Sequence, residues 1–258
     1  MTAQPTRRGW LGLAGASASA LWLSACDKLT SDPTFAKTLT RAEGLTRRAQ
    51  RLITDRKALA KEFTAAEISK DFKANGTLRP QDYEYEALLG TNFADYALVI
   101  DGLVETPLQL TLAQLRALPS RTQITRHDCV EGWSSIGKWK GARLGPLLDR
   151  AKLKAEARYI VFHCADTLEQ TLDGTGKYYE SIDLIDAYHP QTILAYQMND
   201  ATLPVRHGAP VRLRVERQLG YKHAKYVMRV EAVEKLTDLG RGQGGFWPDR
   251  GYEWYAGI

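Results

Sequence analysis

Cys129 lies in the run Arg126-His127-Asp128-Cys129-Val130-Glu131-Gly132-Trp133-Ser134. Charged and aromatic neighbours are unlike the aliphatic surroundings of most structural thiols. His127 and Arg126 favour a thiolate, the form that both attacks as a nucleophile and binds a metal. The same residues read equally well as a half-buried thiol with its hydrogen bonds satisfied. No second cysteine lies within five residues, which excludes a local zinc knuckle, and no Cys-x-x-Cys-His run offers attachment to haem. A nucleophilic enzyme using Cys129 with His127 lacks an orienting third group.

A second cluster runs His207-Gly208-Ala209-Pro210-Val211-Arg212, then Gly220-Tyr221-Lys222-His223-Ala224-Lys225. Arginine clamps phosphate bidentately, lysine supplies a point charge, and glycine lets the backbone come close. The pattern suits a phosphorylated ligand. It equally describes a surface strand with ordinary charges.

The elements that must position these groups belong to a chain of 258 residues, 44% hydrophobic and 25% charged. Such a composition excludes a wholly disordered chain, a collagen-like repeat and a polytopic membrane protein. The net charge of +5 falls to +3 without residues 1–25, too small an excess to argue for nucleic acid. Three cysteines are too few for a disulfide scaffold.

The first residues read as an address. Arg7-Arg8 precede a short apolar run from Leu11 to Leu23, and the first acidic residue is Asp27. The run is shorter than the roughly 20 residues of a spanning helix. Leu23-Ser24-Ala25-Cys26 resembles a lipobox, in which Cys26 is lipidated and becomes the mature N-terminus. The expected organisation is an export signal over 1–25, a tether over 26–33, a helical region over 34–90 and the main domain over 91–258.

From about Phe35 to Phe72, apolar residues recur at three- and four-residue steps, opposite a basic stripe that includes Arg41, Arg47, Arg48 and Arg51. This predicts an amphipathic helix. A strand is expected over Tyr96–Ile100, ending in an Asp101-Gly102 turn. Thr111 and Gln114 form a capping box for a short helix. A further helix is expected over Leu144–Leu153, and strands over Tyr159–Phe162, 193–198 and Tyr226–Val233. Val211, Leu213 and Val215 alternate with Arg212, Arg214 and Glu216, the period of a half-buried strand. The Gly- and aromatic-rich tail from Gly240 reads as an ordered extension. No Gly-rich dinucleotide or phosphate loop follows a strand. The class is α+β with mixed strands.

The order of several motifs resembles the sulfite-oxidase-like family of molybdopterin-dependent oxidoreductases. The residues are His127 to Ser134, Tyr178-Tyr-Glu-Ser181-Ile-Asp-Leu184, His189-Pro190, Leu194-Ala-Tyr-Gln-Met-Asn199, Leu203-Pro204 and His207 to Arg212. Gly220-Tyr-Lys and Trp247 to Ile258 extend the likeness, which covers roughly Thr91 to Ile258. It implies a sulfite-oxidase-type fold of mixed β-sheets and short helices, preceded here by the amphipathic helix. It implies a molybdenum–molybdopterin cofactor without haem, its metal bound by Cys129. His207 and Arg212 would hold the pterin and its phosphate. Asn92 with Phe93, and Gly220, Tyr221, Lys222 and Lys225, fall in further cofactor-contacting loops. Cys164 takes a position near the cofactor, where a thiol more often packs than ligates. Tyr178 takes that of a catalytic tyrosine facing substrate, whose phenol holds a substrate oxygen or shuttles a proton, and it reads equally well as a core aromatic.

Lys222 stands where sulfite oxidases place a substrate-binding arginine, and His207 where methionine-sulfoxide reductases of the family show asparagine. The resemblance therefore points to oxygen-atom transfer with two electrons, to or from a small S- or N-oxide. A separate redox partner and a monomeric catalytic subunit are expected with it, and the paired arginines, the lipobox Cys26 and Asp27 after it resemble signals for a lipid-anchored periplasmic location at the inner membrane of a Gram-negative bacterium. The alternative is a non-catalytic lipid-anchored protein that keeps the fold and binds a ligand or partner.

Overall fold

The structure, a computed structural model, describes residues 33–53 and 55–258. The expected export segment, the tether to Asp32 and Cys26 lie outside the described residues. Two units are distinguished, Met1–Ile53 and Thr54–Ile258.

In the first unit, helix α1 spans Pro33–Ile53. Pro33 at its first position sacrifices no intrahelical hydrogen bond. Leu45, Leu52 and Ile53 on this helix are 64%, 86% and 86% exposed. Among the described residues no helix is long and apolar enough to cross a membrane.

The expected helix to Phe72 stops at Ile53. Beyond it the chain takes hydrogen bonds from sheet edges instead. Phe63 N–H donates to Ile124 O at 2.9 Å and Ser69 N–H to Ile136 O at 3.0 Å. Phe72 packs at 5.3 Å from the Trp139 ring. Tertiary pairing has overridden the local period. The region expected to be helical to residue 90 regains a helix only at α2, Tyr83–Gly90, whose N-cap Asp82 accepts from Tyr85 N–H.

The second unit is built on two five-stranded sheets. The first contains β1 (Ala97–Gly102), β2 (Leu108–Thr111), β5 (Tyr159–Thr167), β6 (Lys177–Asp183) and β10 (Val227–Val233), in the order β2-β1-β10-β5-β6. Only β1 and β10 run parallel in it. The second sheet has the order β3 (Ser120–Asp128), β4 (Ser134–Arg143), β7 (Ile193–Met198) and β8 (Ala201–Thr202), and β9 (Arg212–Arg214) also pairs with β7. Short helices α3 (Leu112–Arg116), α4 (Leu144–Ala151) and α5 (Leu184–Ala187) connect strands. The Thr111–Gln114 capping box forms as expected. The core joins Leu98, Ile100, Phe162, Val230 and Leu213 with Trp139 and Phe246.

Two strand expectations change. Asp101 and Gly102 do not turn the chain, because both continue β1 against β10. The 211–216 segment is not half-buried. Arg212, Arg214 and Glu216 are 3%, 0% and 3% exposed, so the polar residues of the alternation also face inward. Alternation reports two faces, and it does not require that either face meet water.

Candidate functional site

Strand β3 carries Gln123, Thr125 and His127 on one buried face, and the next residue in that phase is Cys129. A polar inward face needs internal partners. They come from β9. Arg214 donates to both carboxylate oxygens of Glu216, at 2.9 and 2.6 Å, and to Thr125 Oγ1 at 3.4 Å. Gln123 Nε2 donates to Glu216 Oε1 at 2.8 Å. Cys129 thus projects from the end of a strand fixed by a closed buried network.

After Cys129 the chain turns tightly. Gly132 N–H donates to Cys129 O at 3.0 Å, Cys129 N–H to Trp133 O at 2.9 Å, and Gly132 has φ +83°. The Cys129 side chain opens onto a cavity of about 330 Å³. Arg212, Gly220, Tyr221, His223 and Lys225 line the same cavity, as do Tyr178 from β6 and Asp166 from β5. The C-terminal tail contributes Phe246, Trp247 and Tyr252, and the segment Asn75–Thr77 forms a further wall.

Of the residues expected from sequence, Cys129, Tyr178, Arg212, Gly220, Tyr221 and Lys225 converge here. His207, Cys164, Lys222, Asn92 and Phe93 do not line this cavity. His207 packs edge-on against Phe72 at 5.6 Å, and its carbonyl accepts from Arg212 Nη1 at 3.0 Å. It therefore orients the arginine through its backbone. The Cys164 thiol is buried 3.8 Å from Phe162 O, and burial pushes its pKa up. That marks a packing thiol. Asn92 and Phe93, with φ of 52° and 61°, turn the chain from α2 into β1, and Phe93 packs on Tyr85. Lys222 is fully buried, 2.5 Å from Glu180.

Asn75 and Thr77 are not among the site residues expected from sequence and fall in the region expected to be helical. Asn75 Nδ2 donates to Cys129 Sγ at 3.5 Å, and Lys225 Nζ donates to the carbonyl of Asn75 at 2.8 Å as well as to that of Thr77. The Asn75-Gly76 pair was the available signal, since such a pair marks a turn that brings backbone close to a site. Asp166 and His223 carry no local motif.

Several buried polar atoms around this cavity lack a hydrogen-bond partner, namely Arg212 Nε, His223 Nδ1 and Asp166 Oδ1. His223 Nε2 lies 3.0 Å from Gln218 O and must donate to it, so Nδ1 is left as an acceptor. Burial, with Arg214 and His127 nearby, holds this imidazole neutral. Burial with Arg214 lowers Arg212 to about 9, and burial with Arg212 lowers Lys225 to about 7. Two cations whose proton affinity is lowered by burial and by neighbouring cations, more than Glu216 and Asp166 offset, suit an anion that restores their charge. Arg212 also stacks over Trp139 at 5.0 Å.

The Tyr178 hydroxyl donates to Tyr221 O. Burial and the nearby Glu180 raise its pKa, so the phenol keeps its proton. Its ring, stacked 5.6 Å from Phe246, is what the cavity meets.

Residues 87–238 match the family model described as the oxidoreductase molybdopterin binding domain. The chain is 33% identical over 98% of its length to a protein of Azospira oryzae, spanning 88% of that relative, which is provisionally named protein-methionine-sulfoxide reductase subunit YedZ1. It is 32% identical over 56% of its length to the protein-methionine-sulfoxide reductase catalytic subunit MsrP of Campylobacter jejuni, of which it covers 51%. The sulfane dehydrogenase SoxCD of Paracoccus pantotrophus is similar over 55% of this chain and 39% of that one, at 26% identity and a TM-score of 0.48.

Proposed function

The chain belongs to the molybdopterin-binding oxidoreductase family, and from that premise we propose that it reduces organic sulfoxides. The convergence of Cys129, Arg212 and Lys225 on one aromatic-walled cavity carries this reading. The donor set fits a molybdenum–molybdopterin cofactor. Cys129 offers one soft sulfur to the metal. Arg212, with its unpartnered Nε, and Lys225 would hold the cofactor's phosphate, and His223 Nδ1 would serve as an acceptor for its pterin. When bound, the cofactor supplies two-electron oxygen-atom transfer.

The remaining chemistry belongs to the chain. The Arg214 network fixes the strand that presents Cys129. Asn75 donates to the sulfur and moderates its charge. The rings of Tyr178 and Phe246 narrow the approach and exclude water.

An uncharged substrate is favoured. Both cations lining the cavity are assigned to the cofactor, and Lys222, in the substrate arginine's position, is paired with Glu180 instead. Glu131 and Glu169 stand at the cavity wall paired with Lys73 and Arg250, so those two cations are taken up by acids and not offered to sulfite. The relatives named as methionine-sulfoxide reductases support a protein-bound or free methionine sulfoxide as substrate.

The rest of the reading rests on sequence. The Arg7-Arg8 leader and Cys26 support export, lipidation and attachment to the periplasmic face of an inner membrane. A separate electron donor serves a monomeric catalytic subunit. Membrane fractionation of wild type and Cys26→Ser tests the anchor, and equal membrane retention would remove it.

The assay for the activity is anaerobic oxidation of reduced benzyl viologen with N-acetylmethionine sulfoxide, using protein from a molybdenum-replete host. Dye oxidation is expected with wild type and is lost with Cys129→Ser. Sulfite oxidation with no sulfoxide reduction would overturn the reading.

A further inference from the structure

The matched family span ends at residue 238, yet three aromatic residues of the cavity wall, Phe246, Trp247 and Tyr252, lie beyond it. Phe246 stacks on Tyr178 at 5.6 Å and meets Trp247 edge-on at 5.3 Å. Trp247 lies 5.2 Å from Tyr252, which closes back on Tyr221 at 5.3 Å. Five rings thus form one continuous arc. It runs from Tyr178, 8% exposed, to Tyr252, 38% exposed at the outer end.

The polar ends of the two inner tyrosines point into the protein. Tyr178 donates to Tyr221 O, and Tyr221 donates to Glu253 O at 2.6 Å. What these rings offer the cavity is therefore carbon and π surface. The tail that carries the arc is also held firmly. Phe246 N–H donates to Tyr179 O at 2.9 Å and Ile258 N–H to Arg217 O at 3.0 Å. Asp249 gathers Tyr179 Oη at 2.7 Å and the Arg241 and Gln243 amides at 2.9 Å each. The Arg250 guanidinium lies 3.5 Å from the Phe246 ring centre and holds that ring in place. A wall ordered in advance loses little freedom when it binds.

We infer that this C-terminal arc, through Trp247 and Tyr252 seated on the buried Phe246, is a specificity element that grips the alkyl groups flanking an oxidised sulfur. The inference rests on the sulfoxide reading above and deepens it, since it names the part of the substrate that is recognised. A sulfoxide sulfur bears partial positive charge, and the hydrogens on its α-carbons are electron-poor. Ring faces carry the negative side of the aromatic quadrupole and attract such groups, while sulfur itself packs well at ring edges. An inorganic oxyanion gains neither contact and is repelled by the same faces. The longer alkyl chain of methionine sulfoxide would reach more rings of the arc than the two methyl groups of dimethyl sulfoxide.

The test uses full-length holoenzyme as wild type, Trp247→Leu, Tyr252→Leu and Trp247→Phe. Reduced benzyl viologen drives turnover of N-acetylmethionine sulfoxide and, separately, of dimethyl sulfoxide. Both leucine variants are expected to keep wild-type molybdenum and pterin content. Their kcat/KM for N-acetylmethionine sulfoxide should fall by about tenfold or more, mainly through KM, and for dimethyl sulfoxide by less than about threefold. Trp247→Phe should recover most of the loss. Saturation-transfer NMR provides a readout independent of turnover. Irradiating protein aromatic protons should label the S-methyl group of N-acetylmethionine sulfoxide in wild type and clearly less in Trp247→Leu, with four rings of the arc remaining. Equal losses for both substrates, or labelling undiminished in Trp247→Leu, overturns the inference. Labelling in wild type without any sulfoxide turnover would instead overturn the proposed activity and leave the recognition element standing.

Discussion

Arg214 Nη1 lies 3.0 Å from His127 Nδ1, and this contact fixes the state of the imidazole. A guanidinium only donates, so Nδ1 must accept and the ring keeps its proton on Nε2. Burial and the cations Arg214 and Arg212 hold His127 well below the ordinary histidine range, hence neutral. The pair locks β9 to the strand end that presents Cys129.

Removing this arginine strands buried groups. Arg214→Met leaves Glu216, 3% exposed, without its cation. The expected cost is about 3–5 kcal/mol in urea unfolding. Loss below about 1 kcal/mol would show that the network does not organise β3 and β9.

Lys222 gives the opposite kind of test, because the structure makes it a structural residue. Its ammonium is 2.5 Å from Glu180, with both side chains fully buried. Burial raises the Glu180 carboxyl to about 7, an effect opposed by Lys222. Lys222→Met alone should destabilise by about 3–5 kcal/mol, and Lys222→Met with Glu180→Gln should recover most of it. The double variant should retain its KM for N-acetylmethionine sulfoxide within about threefold. A KM rise of a hundredfold would return Lys222 to substrate binding.

The same residue shows what the sequence could and could not reveal. Motif order located Cys129, Arg212 and Lys225, since their chemistry is carried by residue type and a fixed neighbourhood. Periodicity found the capping box at Thr111 and the strands around Phe162 and Val230. It failed at 54–82, where Phe63 and Ser69 satisfy their amides on distant strands and local spacing carries no record of that. It also misread the direction of side chains. Lys222 and Arg214 are cations by type, yet both are buried and paired, because acids at Glu180 and Glu216 meet them across the fold. Asp166 and His223 reached the cavity through strand pairing and a 3-10 turn, with no motif of their own.

Asp166 makes stability depend on pH. Burial raises its carboxyl to about 6, with Thr77 and Lys225 opposing the shift. The folded protein therefore holds this proton more tightly than the unfolded chain. The associated stability is complete below the unfolded value near 3.8 and is lost as pH rises through about 6. Asp166→Asn should gain up to about 2–3 kcal/mol over wild type at pH 8, and the difference should vanish at pH 4. Urea midpoints at the two pH values measure it. A constant difference between the two proteins would place the charged carboxylate in a solvated setting.

Gly220 permits the close approach of two site loops. A Cβ there would stand 2.5 Å from His127 Nε2 and 3.1 Å from Asp128 O, next to Cys129. Gly220→Ala must push these loops apart, so pterin retention after purification should drop by about tenfold or more. Full pterin content in Gly220→Ala would show that the loops tolerate the added methyl.

X-ray absorption at the molybdenum edge measures the central claim at the metal itself. Wild-type holoenzyme should show three sulfur neighbours, two from the pterin dithiolene and one from Cys129, and Cys129→Ser should show two. Identical sulfur counts in the two proteins would contradict the assignment of Cys129 as the protein's ligand to the metal.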